Sequence, residues 1–420
     1  MFGPQGIFFF FLLLLVFGGL VVWIALATRA VVRVLAACLA FVPGMVFGVA
    51  AVNKYYDYYQ SWGALFSDLS GQSTTVPDVS TIGPGGAGTP VPQLAGSSNA
   101  ALDAQYGLLF STTIAWQAGH ISRQAYVYLP PQYFSKAYAS YRFPAIELLH
   151  GSPGDPAAWV NVMNVVPAYL QLLAAHKAAP AVLVMPDTDG GHQYSLQCLN
   201  DPRGIQDMTY VAKMVPNWVA ANLRVRPPGP AWGIAGYSEG GYCAANIGLQ
   251  YPSRFHYVGV FSGYFAPDKS QVPDNGKVRD VNVFRGYPAL ALRNTPMEYV
   301  MRIPVTASVP QFYLAAGATD HGDVLAAQAF RQELMLRDAS VPLAVIGGTG
   351  HTALVWRAAL SSTLQWMTPQ LAQAAAQHAQ PHARSQHPGS KHPGSKHSGS
   401  KNSRLKTAPI GSSSLASARV

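Results

Sequence analysis

Charge is scarce in this chain. Asp, Glu, Lys and Arg make up 11% of its 420 residues, and over the first fifty the only charged side chains are Arg29 and Arg33. What charge there is lies at the ends. Seven Lys/Arg and no acid follow Gln380, while Arg29, Arg33 and Lys54 face only Asp57 near the N-terminus, so the net +9 leaves the middle of the chain neutral. A neutral middle argues against a nucleic-acid-binding core, because neutralising phosphates requires a basic face. Cysteine is also rare. Cys38 lies in the apolar N-terminal region, and Cys198 and Cys243 are either a disulfide of an exported domain or two buried thiols. The opening MFGPQG has no basic residue, so it lacks the n-region of a secretory signal. HExxH, Walker and GxGxxG signatures in their structural contexts are missing too, so neither a metal nor another cofactor is expected.

Apolar length is abundant instead. GIFFFFLLLLVFGGLVVWIALA, Gly6 to Ala27, carries no charge, and AVVRVLAACLAFVPGMVFGVAAV runs from Ala30 to Val52. Each is long enough to cross a hydrocarbon core of ~30 Å at 1.5 Å per residue. Arg33 can snorkel to the interface, and a membrane helix tolerates Pro43. Arg29 and Arg33 between the two runs mark that connection as cytoplasmic, so both termini, and whatever follows, are expected outside. The alternative is a single bent or re-entrant span with the following domain inside. NKYYDYYQSW then suits the outer membrane interface. The expected organisation is a two-helix anchor over 1–60, a Gly/Ser/Pro/Thr-rich linker over 61–100 holding a domain above the membrane, a folded domain over 101–372, and a disordered tail over 373–420. HPGSKHPGSKHSGSK in that tail has nothing apolar to bury, and its basic charge is expected to contact anionic envelope polymers if it contacts anything.

The folded part reads as α/β. GLLFSTTIAW and RQAYVYLP form a hairpin. PAIELLHG, AVLVMPD, AWGIAGY, HYVGVFSG, QFYLAAG and PLAVIGG are short apolar runs alternating with helical stretches, among them MTYVAKMVPNWVAANL, read as one amphipathic helix with Pro216 an imperfection. Strands of that kind are covered on both faces, as in a mostly parallel sheet. Between AWGIA and the helical GYCAANIGLQYP stands GYSEG, a G-x-S-x-G at a strand-to-helix turn. That is where a strained nucleophile elbow exposes its serine, here Ser238. A hydroxyl needs a base, a group to orient the base, and donors for the developing oxyanion. Asp320 in GATDHGD and His351 in GGTGHTALVW follow later strands in the order Ser, acid, His. Asp323 is assigned instead to the following helix, where an acid meets the N-terminal dipole. His321 precedes the last strand and is displaced from the base position. His120, His176, His192 and His256 lack a strand-end setting. The backbone N–H groups of Glu239 and of Ser152, in HGSPGD after an early strand, are the expected oxyanion donors. Gly151, Asp187 and Asp189 are candidates to line the substrate pocket, with turn and cap roles open for the aspartates.

These stretches, LLHGSPGDPAAW, GYSEGGYCA, GATD and GGTGHTALVW, resemble the Putative esterase family of α/β hydrolases, which includes esterase D-like enzymes, feruloyl esterase-like proteins and mycolyltransferases. The resemblance spans Leu102 to Met367. It implies an α/β-hydrolase fold with Ser238 as nucleophile, Asp320 as acid and His351 as base. Membrane-anchored versions resemble actinobacterial envelope proteins. The expected protein is therefore a multi-pass cell-membrane serine esterase with its catalytic domain outside, acting on an ester or on a lipid or glycolipid. Transfer of the acyl chain to a sugar or lipid hydroxyl, a serine peptidase, and a binding protein on a retired hydrolase fold are the alternatives.

Overall fold

The computed structural model describes residues 3–69, 100–190, 196–202, 204–267, 284, 287–337 and 339–377. Most of the expected linker, the tail from 378 onward and His192 lie outside the described residues. Two helices come first, α1 (Ile7–Leu26) and α2 (Ala30–Tyr56). They run antiparallel, since Phe10 meets Phe47 at 5.4 Å while Phe17 lies against Gly44. Both are long and apolar enough to cross a membrane, judged by length and composition. α2 continues four residues beyond the expected Val52 and contains Pro43.

An eight-stranded sheet follows, comprising β1 (Leu108–Trp116), β2 (Ile121–Leu129), β3 (Ala145–Leu149), β4 (Val182–Pro186), β5 (Gly229–Tyr237), β6 (Phe255–Phe261), β7 (Gln311–Gly317) and β8 (Leu343–Ile346). Its order is β1-β2-β4-β3-β5-β6-β7-β8. β1 and β2 form the expected hairpin, β2 meets β4 antiparallel, and every pair from β4 to β8 is parallel. This is an α/β-hydrolase sheet, and its apolar runs follow from burial on both faces. Every residue of β3 and β4 is buried, whereas the edge strand β8 is half-exposed. α8 (Val215–Asn222), α9 (Glu239–Gln250) and α12 (His321–Met335) pack on one face with Trp232 and Ile234 of β5. α5 (Ala157–Asn161), α6 (Val165–Ala174) and α13 (Ala353–Gln377) cover the other with Ala235 and Tyr237, and the short α10 (Pro288–Asn294) and α11 (Pro296–Val300) precede β7. The alternation along β5 is the two-residue period of a strand dividing its side chains between two layers.

Four features depart from the sequence reading. A helix, α3 (Trp62–Leu69), forms where linker was expected to begin, and another, α4 (Ala100–Tyr106), precedes β1. α13 runs to Gln377, past the expected boundary at 372. The stretch MTYVAKMVPNWVAANL is not one regular helix: α7 (Asp207–Thr209) passes through a π-helical segment, Tyr210–Met214, into α8. Pro216 at the start of α8 has no N–H to give to a regular ladder, so the hydrogen bonding shifts there. Lastly, the hairpin is not held off from the α/β domain. The Arg357 guanidinium on α13 pairs with the Asp57 carboxylate at the end of α2 and donates to the Asp57 carbonyl at 3.0 Å. Tyr58 and Tyr59 pack against the apolar cluster that contains Tyr237 and Trp356. Aromatic surface that would otherwise face water is what draws these parts together.

Candidate active site

The elbow is built by close backbone approach. Ser238 sits between β5 and α9 at φ 54°, ψ −121°, a region non-glycine residues rarely occupy and one that marks functional strain. A Cβ on Gly236 would lie 2.2 Å from the Gly240 carbonyl oxygen, and one on Gly240 would lie 2.1 Å from that of Leu149. Glycine at both positions lets α9 press onto the ends of β3 and β5 and lifts the Ser238 side chain to the carboxyl edge of the sheet. Asp320, at the end of the β7 loop, and His351, after β8, reach the same edge. The two loops are tied by the Thr319 amide donating to the Thr349 carbonyl at 3.1 Å.

His351 Nε2 lies 3.0 Å from Ser238 Oγ. On its other side Nδ1 is 3.0 Å from Asp323 Oδ2 and 3.7 Å from Asp320 Oδ2. Asp323, rather than the expected Asp320, therefore makes the hydrogen bond to the ring. Asp320 is the N-cap of α12, where its carboxylate accepts from the Asp323 amide at 3.1 Å. That task turns it toward the helix, while the next carboxylate along faces the imidazole. Burial raises the Asp323 carboxyl above its ordinary value, against the pull of His351. His321 is exposed at the first residue of α12, away from the base position. Asp320, Asp323 and His351 offer ligand atoms within 4.8 Å of one another. Both imidazole nitrogens already face partners, Ser238 and Asp323, so a cation there would have to displace one of these contacts.

The remaining candidates divide. Gly151 and Ser152 line the cavity in front of Ser238, and the Glu239 amide follows the serine at the N-terminus of α9. The Glu239 side chain is buried and accepts from the Gln197 amide at 3.2 Å. Asp187 and Asp189 do not line this cavity. They brace it from behind. Asp187 accepts from the Asp189 and Gly190 amides at 2.9 and 2.6 Å. Burial would raise its pKa, but His150 and those amides outweigh burial and hold it below the usual carboxylate range. Asp189 is pushed up by burial, opposed in part by His150 and by a hydrogen bond from the Ser152 side chain. The loop after β4 is also tied to α9 by the Cys198–Cys243 disulfide, Cα–Cα 5.7 Å.

His150 is the residue that sequence reasoning missed. The Thr188 amide lies 3.1 Å from its Nε2, and its Nδ1 lies 2.9 Å from the Gly151 carbonyl. Arg123 on β2 completes the brace, pairing with buried Asp207 and donating to the Thr188 carbonyl at 2.9 Å. One signal was available, a histidine directly before the glycine of HGSPG. Arg123 gave none, because it reads as the polar position of an alternating strand.

A family model described as "Putative esterase" matches residues 120–387. An uncharacterized protein of Corynebacterium glutamicum is 27% identical over 263 residues, 62% of this chain and 60% of its own length. The MPT51/MPB51 antigen of Mycobacterium tuberculosis is 27% identical over 128 residues, 30% of this chain and 37% of the antigen. The chain thus spans less than two thirds of either relative. Among solved structures, a ferulic acid esterase superposes with a TM-score of 0.54 at 21% identity, covering 62% of this chain and 97% of that one. An S-formylglutathione hydrolase from Agrobacterium tumefaciens gives 0.52 at 18%, covering 64% and 96%. At those identities the likeness is one of fold. The family match covers well over half of the chain, and with it the protein belongs to the Putative esterase family.

Proposed function

We propose a membrane-anchored, extracytoplasmic serine esterase with Ser238 as nucleophile, His351 as general base and Asp323 as the acid that orients it. The observation that carries this reading is the run Ser238 Oγ, His351 Nε2, His351 Nδ1, Asp323 Oδ2, with both contacts at 3.0 Å. Ser238 Oγ attacks the ester carbonyl while His351 Nε2 takes its proton. The carbonyl oxygen becomes an oxyanion facing the Ser152 and Glu239 amides. Asp323 holds the Nδ1–H tautomer and stabilises the imidazolium. The carbon–oxygen ester bond then breaks, and the alcohol leaves with the proton from His351. Water, or an acceptor hydroxyl, attacks the acyl-enzyme by the reverse sequence, giving a hydrolase or a transferase respectively.

The spans support the anchored half of the proposal by length and composition, with Arg29 and Arg33 on their connection. The disulfide agrees with an oxidising compartment. Turnover of p-nitrophenyl butyrate by the full chain tests the chemistry. Ser238→Ala is expected to abolish the burst and to lower kcat by about 10⁵–10⁶-fold. Unchanged turnover in that variant would sink the scheme. Added glycerol that diverts acyl groups from free acid to glyceryl ester would identify the transferase branch.

A further inference from the structure

The cavity in front of Ser238 is not enclosed by the α/β domain alone. Its volume is about 800 Å³, within the ~300–1,000 Å³ of small-molecule sites. One side is formed by Ser238, His351, Tyr237, Trp356 and the loop around Gly151. The other is formed by the N-terminal hairpin, through Phe9 of α1 and Val46, Val49, Ala50 and Val52 of α2, with Trp62 of α3 beside them. These residues lie at the hairpin end opposite Arg29 and Arg33, the end expected at the outer face. Val49 and Val52 are each more than half exposed, so the rim of the cavity merges with the apolar outer surface of α2.

The hairpin is also seated against α13, the helix that follows His351. Asp57, directly after α2, is paired with Arg357, six residues beyond His351, and Arg357 donates in addition to the Val162 carbonyl at 2.7 Å. The Asn53 side chain brackets Tyr59, accepting from its amide at 2.7 Å and donating to its carbonyl at 3.0 Å. Together these contacts hold the end of α2 over the serine, where a simple tether would need no such bonds.

We propose that the membrane hairpin is one wall of the acyl-binding site. The substrate is then a membrane lipid ester whose acyl chain enters along α2 and whose carbonyl reaches Ser238. The proposal rests on the esterase reading above. A sugar or peptide in the acyl position would set its hydroxyls or amides against Val46, Val49 and Ala50 without partners, at a desolvation cost that an alkyl chain avoids. A chain passing from the bilayer into this cavity runs mainly along apolar side chains, with Asn53, Ser152 and Asp155 as polar members of the lining.

The full chain, reconstituted in phosphatidylcholine vesicles, is treated with a hexadecyl fluorophosphonate carrying a mid-chain diazirine. Ser238 Oγ bonds to phosphorus, fluoride leaves, and the serine proton passes to His351. Irradiation then cross-links the chain to its neighbours, and peptide mass spectrometry locates the bonds. The expected result is label on Ser238 with cross-links to Phe9 or to the Val46–Val52 stretch. Label on Ser238 with cross-links confined to the α/β domain overturns the wall and leaves the esterase reading standing. Absence of label on Ser238 overturns both. In parallel, Val46→Phe and Ala50→Phe are each expected to lower the ratio of palmitate to butyrate p-nitrophenyl ester turnover about tenfold. An unchanged ratio in both variants overturns the proposal.

Discussion

Two carboxylates three residues apart compete for one imidazole, and helix register decides between them. As N-cap, Asp320 must point back at the first amides of α12, which leaves Asp323 to face His351. Asp323→Asn is expected to lower kcat by about 10³–10⁴-fold, since the amide no longer holds the required tautomer. Asp320→Asn keeps a capping oxygen and is expected to stay within about tenfold of wild type. Steady-state kinetics that reverse this ranking would restore Asp320 as the acid. A second residue-scale expectation concerns Glu147 on β3. It is fully buried, neither carboxylate oxygen has a hydrogen-bond partner among the described residues, and burial holds its pKa well above 4.5 against a smaller opposing pull from Arg254. A raised folded-state pKa means that wild-type stability declines as pH climbs above the unfolded value near 4.5, by at most about 1.4 kcal/mol per pH unit. Glu147→Gln removes that slope. Its melting temperature relative to wild type is expected to rise from pH 5 to pH 8, and a constant difference would show that Glu147 does not titrate in this range.

At the scale of elements, strands were legible because burial on both faces writes itself as short apolar runs, and helices because they alternate with those runs. The elbow was legible for the same reason: strand, glycine-flanked serine and helix are local in the chain. Its tightness shows only in three dimensions. A Cβ on Gly240 meets the carbonyl oxygens of Leu149 and His150 at 2.1 and 2.5 Å, both backbone atoms that cannot rotate away. Gly240→Ala is therefore expected to cost about 3 kcal/mol in denaturant unfolding and to lose activity with it. A cost below about 1 kcal/mol would mean that α9 does not press on β3 as described. The helices Trp62–Leu69 and Ala100–Tyr106 were not legible, because each is too short to write a helical period into the sequence.

For the whole molecule, the orientation of the hairpin determines which compartment Ser238 meets. The proposed topology places residues from 100 onward outside. Protease added to intact cells is expected to degrade that portion. Protection that is lost only on lysis would reverse the orientation and, with it, the compartment argument for the disulfide. The seating of α2 on α13 further implies that the anchor and the α/β domain behave as one piece, in contrast to the spaced arrangement that the Gly/Ser/Pro-rich stretch after Leu69 suggests.

Local pattern by itself determined the α/β class, the two apolar spans, Ser238 at its elbow and His351 at a later strand end. Each of these is set by periodicity or by turn chemistry within a dozen residues. Tertiary structure alone brought Asp323 rather than Asp320 against His351, set Cys198 beside Cys243, and seated the apolar hairpin next to Ser238. Those outcomes depend on contacts between distant segments, as when Arg357 meets Asp57 across 300 positions of sequence. No window of neighbouring residues records such a contact, because it exists only after the sheet has brought the segments together.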